Sequence, residues 1–207
     1  MSSGSELNGL IKLHIGAFNY PADGWLNTDI TPHIWISKIP FAADWLYAMG
    51  KMTKERLAEH KLGVFRRLKY LDITKPLPFA NGSVAAVFSS HVFEHLFMDE
   101  VYRLVEEIHR VLAPGGVCRV VVPDLEKIVA AFDPNSPDEF VHDIYEVSKR
   151  EAVKNSHHCG FTKASLVKMF KAAGFSKAES LSYQVGACPD VKVLDNRPES
   201  IFFEATR

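Results

Sequence analysis

Cysteine is scarce in this chain, and nowhere do two lie close together. Cys118, Cys159 and Cys188 are the only three in 207 residues, an odd number with no C-x-x-C. That argues against the disulfide framework of a secreted domain and fits a reducing cytoplasm; each thiol reads first as a small buried hydrophobe. Charge of one sign is missing too. The 24 Lys and Arg nearly balance the 25 Asp and Glu, and the net charge is −1. No basic stripe points to nucleic acid, and no acidic run points to a disordered tail. No apolar run is long enough to span a bilayer, the N-terminus lacks a signal-peptide pattern, and residues 1–5 read as a frayed end. Internal repeats and low-complexity tracts are absent. What remains is ordinary for a globular protein, 47% apolar and 24% charged, of a length for a single domain over residues 1–207.

The order of elements is informative. "LIKLHIG" (10–16) reads as a strand ending at a glycine, and "GWLNTDI" (24–30) as a second strand with Asp29 near its end. A helical, aromatic-rich insertion follows at about 32–67, with helix expected over 41–62. "LKYLDI" (68–73) and "VAAVFSS" (84–90) are further strands. Residues 99–112 carry a helical period, with Val101, Leu104, Val105, Ile108, Val111 and Leu112 on one stripe. "APGG" (113–116) stops that helix, and "VCRVVVPD" (117–124) is the next strand. Helices are expected at 125–132, 138–154 and 163–173, the last closed by Gly174. "AESLSYQV" (178–185) and "SIFFEAT" (200–206) are the last strands. Strands that alternate with helices and carry nearly continuous apolar runs predict an α/β fold, a mostly parallel sheet covered on both faces. Ligands bind such sheets beyond the carboxyl ends of the strands.

One motif invites a different chemistry. "SSHVFEHL" (89–96) places His91, Glu94 and His95 as H-x-x-E-H, the spacing of one class of zinc peptidase. Two histidines four apart on a helix can bite one metal, and a Glu beside them can deprotonate bound water. A third protein ligand is needed. Glu146, Glu151 and Glu179 are available, yet none sits in a recognisable partner motif, and the stretch follows a buried-looking strand. The expectation is no metal.

The set of strand ends carries a resemblance. A glycine follows strand one, acids end strands two and three, then come "PLPFANGSVAAVFSSHVFEHL" and "EEIHRVLAPGGVCRVVVPD". This order resembles the class I S-adenosylmethionine-dependent methyltransferases, closest to the small type 11-like branch. It runs from about Leu13 to Asp124 and resumes in "HHCGFTKASLVKMFKAAGF" and "ESIFFEA", which looks like the family's closing strand. The resemblance implies a Rossmann-like sheet with an antiparallel final strand, and S-adenosylmethionine as cofactor. It implies that Gly16, Ala17 and Phe18 form the cofactor loop, and that Asp29 accepts from the ribose hydroxyls. Asp72 and Ile73 would hold the adenine, while Ser90 and His91 face the transferred methyl. The departures are a missing second glycine, since Phe18 stands where one is usual, and a stretch from Gly16 to Gly24 too short for a full crossover helix. Phe18 either points away or blocks the pocket. The latter would leave a degenerate methyltransferase fold acting as a non-catalytic binding domain. The insertion at 32–67 is expected to cover the cofactor in place of an N-terminal helix.

Methyl transfer is an in-line displacement, so the protein mainly aligns acceptor and methyl in a dry pocket. A base is useful when the acceptor is a hydroxyl, and histidine suits that role near neutral pH. His91 is the first candidate and His158, in "NSHHCGF", the second, beside His157. Lys149, Arg150, Lys154, Lys163, Lys168 and Lys171 read as a solvated face, with attraction of an anionic acceptor as the alternative. The acceptor is expected to be a small molecule or saccharide, with neither nucleic acid nor membrane as partner.

Overall fold

A computed structural model of the protein describes residues 9–146 and 156–207. Residues 1–5, the end of the helix expected over 138–154, Glu151, Lys149, Arg150 and Lys154 lie outside the described residues. Seven strands form one sheet: β1 Ile11–Ile15, β2 Leu26–Asp29, β3 Lys69–Tyr70, β4 Val84–Ser90, β5 Leu112–Val122, β6 Lys177–Leu181 and β7 Ile201–Thr206. Their spatial order is β3-β2-β1-β4-β5-β7-β6. β1, β2, β3, β4 and β5 pair parallel, and β7 runs antiparallel between β5 and β6. The order reverses at β1, whose neighbours are β2 and β4, so the crevice for a ligand lies beyond the ends of β1 and β4.

Alternate side chains divide the sheet into two faces. Leu13 and Ile15 of β1, Val87 of β4, Val120 and Val122 of β5 and Phe203 of β7 face the main core. The helix α4, numbered after three short helices of the insertion, spans Met98–Val111 and buries Val101, Leu104, Val105, Ile108 and Val111 against it. The helix α7, Lys163–Ala172, adds Leu166, Met169 and Phe170. Between them in sequence, α5 and α6 cover Leu125–Ala130 and Pro137–Tyr145. The opposite face is thinner, built on Trp25, Phe88, Val121 and Phe202 with Val191 and Leu194 of the one-turn α8, Val191–Leu194.

That thinner face holds polar groups that must be satisfied internally. Arg119, in the middle of β5, is fully buried. It pairs with Asp195 and lies 3.3 Å from Glu204, and Nη1 donates to the Val185 carbonyl at 2.9 Å. Glu204 accepts from the backbone of Ala187 and Cys188, and Asp195 from that of Gln184. His14 stands between Trp25 and Phe88 with Nδ1 3.2 Å from Asn27 Oδ1. Burial disfavours its charged form and lowers its pKa from the usual 6.5 to about 4.

The link between β1 and β2, residues 16–25, is a pair of turns with no helix, as its shortness implied, and the strands still pair parallel. Two sequence expectations change. The helix expected over 41–62 is two helices, α2 Ala42–Ala48 and α3 Lys54–Lys61, separated at Gly50, whose φ is +69°. The "LAPGG" turn belongs to β5: Leu112 pairs with Val84 and Val117 with Ala86, and the intervening residues bulge. A Cβ at Gly116 would stand 2.9 Å from the Ala113 carbonyl oxygen.

Arg119→Met strands two buried carboxylates, and unfolding in urea is expected to show a loss of roughly 3–5 kcal/mol. For His14, the unfolded state binds a proton below its ordinary pKa while the folded state stays neutral down to about 4. Stability therefore falls as pH drops through that window, by up to roughly 3 kcal/mol. His14→Gln should flatten that part of the stability–pH curve.

Candidate functional site

A cavity of about 680 Å³ opens at the carboxyl ends of β1, β2, β3 and β4. Gly16, Ala17, Phe18, Asp29, Asp72, Ile73, Ser90 and His91 all line it. The fold thus brings to one place the residues that sequence order alone set at four strand ends.

The first wall is the turn after β1. Gly16 adopts φ +69°, and a Cβ there would meet Val92 Cγ2 at 2.2 Å, so both backbone and neighbour require glycine. Ala17 is buried, and its N–H donates to the Thr28 carbonyl. Phe18 is left-handed at φ +38° and its N–H donates to Asp29 Oδ2 at 3.1 Å. Its ring packs toward the insertion, 6.1 Å from Phe65, with the Arg56 guanidinium 4.4 Å from its centroid. The insertion, with its first helix α1 at His33–Ile36, does not roof the cavity as expected. None of residues 32–67 lines it, and Ile34, Phe65 and Leu68 instead support Ala17 and Phe18 from behind.

The acids differ in state. Asp29 accepts from Phe18 N–H and, at 2.7 Å, from Thr31 N–H. Desolvation nonetheless raises its pKa, and lone pairs remain free to accept at the cavity edge. Asp72 is more exposed and already engaged. It accepts from the Thr74 N–H and hydroxyl and pairs with Lys75 at 3.1 Å, and the Thr74 bond is the main cause of its lowered pKa. Ile73 packs against the main core beside it.

His91 does not begin a helix. Its φ is +53°, its N–H donates to the Val121 carbonyl, and the next turn, Phe93–His95, is 3-10. One face carrying His91 and His95 is therefore absent, and the H-x-x-E-H spacing does not make a two-histidine bite. His91 Nε2 is 2.9 Å from Ser200 Oγ, and Nδ1 is 3.1 Å from Glu94 Oε1. His158 stands apart. Its N–H donates to the Glu94 carbonyl, its ring stacks on Phe97 at 4.5 Å, and it lines a second, smaller cavity. The geometry does not bring His91 and His158 together.

Several lining residues went unseen in the sequence, namely Tyr20, Val193, Leu194, Asn196 and Arg197. Four of them come from α8 and the loop after it, held over the sheet by Asp195 on Arg119. Only the polar run "DNRPES" hinted at an exposed loop, and nothing in it gave a location.

Residues 40–120 match the family model of the type 11 methyltransferase domain. Over that stretch the chain is similar to the type 11 methyltransferase domain, and its sheet has the order that the resemblance implied. The matched stretch carries most of the insertion, β3, β4, α4 and most of β5, and so the Asp72 and His91 walls of the cavity. The methyltransferase fold also recurs among solved structures. A SAM-dependent methyltransferase from Archaeoglobus fulgidus superposes with a TM-score of 0.54 at 12% identity over 97% of this chain and 88% of that one. A structure from Haloferax volcanii, a methyltransferase complexed with the Trm112 methyltransferase activator, gives 0.51 at 17% identity over 96% and 82%. The chain spans about half the length of others it matches, 49% of the CurJ carbon methyltransferase for example.

Gly16→Ala should lose about 1–2 kcal/mol from left-handed backbone alone, with the Val92 clash added. In urea denaturation, Val92→Ala placed on Gly16→Ala is expected to restore the clash component and leave the backbone component.

Proposed function

We propose that this methyltransferase binds S-adenosylmethionine in the 680 Å³ cavity and methylates a small-molecule or sugar acceptor, with a hydroxyl as the acceptor group. The observation that carries the reading is the convergence of Gly16, Phe18, Asp29, Ile73 and His91 on one cavity at the sheet's switch point. The residues present fit the cofactor. The Gly16 turn brings bare backbone to the cavity, and Asp29 keeps acceptor capacity at its edge. Phe18, the departure from the family pattern, engages Phe65 and Arg56, so its side chain is no obstacle to this reading.

When bound, the cofactor supplies an activated methyl and a neutral sulfur leaving group. The chain's part is to bind, orient and move a proton. Asp29 would accept from ribose hydroxyls, and Ile73 would pack on the adenine while Asp72 accepts from its amino group. Residues 16–18 would hold the amino-acid part, and Ser90 would border the reacting end. Glu94 beside Nδ1 of His91 favours the proton there and leaves Nε2 as the base. Nε2 then takes the acceptor's proton directly or through the Ser200 hydroxyl at 2.9 Å. His158, outside this cavity, is better suited to the acceptor side of the second one. The unpaired Cys118, Cys159 and Cys188 support placement in a reducing cytoplasm.

Calorimetric titration with S-adenosylhomocysteine tests the proposal. One molecule should bind, Asp29→Ala should lose roughly tenfold or more in affinity, and affinity should weaken as pH falls. The weakening should begin above the ordinary Asp range, because the Asp29 pKa is raised and only its ionised form accepts both hydroxyl bonds. No binding at millimolar ligand would make this a non-catalytic domain on the methyltransferase fold.

A further inference from the structure

At the wall between the two cavities, Glu94, His95 and His157 each offer one ligand atom, all within 4.8 Å of one another. His95 lines the larger cavity; Glu94 and His157 line the smaller one, of about 330 Å³. Glu94 is 1% exposed and His157 8%. Neither oxygen of the Glu94 carboxylate nor Nε2 of His157 has a hydrogen-bond partner among the described residues. A buried carboxylate without donors is costly unless a cation neutralises it.

The two imidazoles are turned to complete such a site. His95 Nδ1 lies 3.3 Å from the Ser156 carbonyl oxygen, and His157 Nδ1 lies 3.0 Å from that of Ile144. A carbonyl only accepts, so each Nδ1 carries the proton, and that arrangement leaves Nε2 of each ring as the atom that can offer a lone pair to a metal. A backbone carbonyl on the far nitrogen is also the outer-shell partner that orients metal-bound histidines. Two side chains complete the surroundings. His91 Nδ1 is 3.1 Å from Glu94 Oε1, and Glu146 Oε2 is 3.0 Å from His157 Nε2, but neither contact has hydrogen-bond alignment. A carboxylate facing an imidazole lone pair is repulsive, unless both turn to one ion at about 2.0–2.2 Å each.

We propose that Glu94, His95 and His157 form a divalent-metal site that takes zinc, with Glu146 or water in the fourth position. Two imidazoles and a carboxylate match the borderline-soft, tetrahedral preference of that ion. The site differs from the H-x-x-E-H bite, because His91 belongs to Ser200 and the cavity while His157 arrives from more than sixty residues downstream. Its effect is to tie the segment that begins at Ser156 to the 3-10 turn after β4, fixing the wall that both cavities share. It is independent of whether the chain transfers methyl groups.

Full-length protein stripped with a chelator and titrated with zinc alone tests the site. The expected result is one equivalent bound with submicromolar Kd and a raised thermal midpoint. Glu94→Gln and His157→Ala should each weaken binding by roughly a hundredfold or more, while His33→Ala with His60→Ala, the other close histidine pair, should leave it unchanged. Absence of stoichiometric zinc binding by the folded wild-type chain overturns the proposal, and so does undiminished binding in folded His157→Ala. A Glu94→Gln protein that melts above zinc-treated wild type overturns it too, because the carboxylate would then be an uncompensated burial with no ion. The wild-type titration decides even if a variant fails to fold.

Discussion

The guanidinium of Arg119 is the contact on which much of the site's geometry depends. It rises from the middle of β5 into the thinner face of the sheet, where no water reaches it. Asp195 and Glu204 neutralise it, and the carbonyls of Ser182 and Val185 take further N–H groups. Those partners are loop residues, with the exception of Glu204 in β7. The network therefore folds the chain between β6 and β7 down onto the sheet, and that chain supplies Leu194, Asn196 and Arg197 to the cavity wall. Hydrophobic residues replacing Arg119, Asp195 and Glu204 together could fill the space at similar stability, but they could not specify where the loop lies. The ion network acts here through placement.

The insertion plays a related part on the other side of β1. Its exposed aromatics, Trp35, Phe41 and Trp45, do little for the core, and α2 buries none of its residues. Its contribution comes from Ile34, Phe65 and Arg56, which pack on the turn at Ala17 and Phe18. Phe18 becomes tolerable because its side chain has somewhere else to go. Asn19 Nδ2 donating to Glu59 at 2.9 Å extends the same attachment.

Periodicity made the central elements legible. β4 spans 84–90 as read, and α4 differs from its expected range by a single residue at each end, because both are buried along an unbroken apolar pattern. What the pattern missed was set by distant partners. β5 starts five residues early because "LAPGG" finds Val84 to pair with. Arg119 reads as a polar interruption of "VCRVVV", since its counter-charges lie 76 and 85 residues on. The strand-end residues were placed by order and by resemblance, and they meet because parallel strands put like ends together. The histidines resisted for the opposite reason. Spacing joined His91 to His95 on an assumed helix, but a left-handed residue and a 3-10 turn sent them to different partners. In "NSHHCGF" the two neighbours part, with His158 exposed and stacked on Phe97 and His157 buried beside Glu94 and Glu146.

Strain marks the same boundary. Two non-glycine residues at the cavity, Phe18 and His91, sit at positive φ. Each such residue costs on the order of 1–3 kcal/mol, so it persists only where its surroundings over-determine it. For Phe18 these are the Asp29 carboxylate on its N–H and the Phe65–Arg56 pocket for its ring. For His91 they are the Val121 carbonyl, the Ser200 hydroxyl and the Glu94 carboxylate. Under the two proposals, Asp29 and Glu94 would each do two things, hold a strained backbone or ring and meet a hydroxyl or cation from outside the chain. A carboxylate in that position must be largely desolvated to be rigid, and desolvation is also what makes an incoming donor or cation valuable to it.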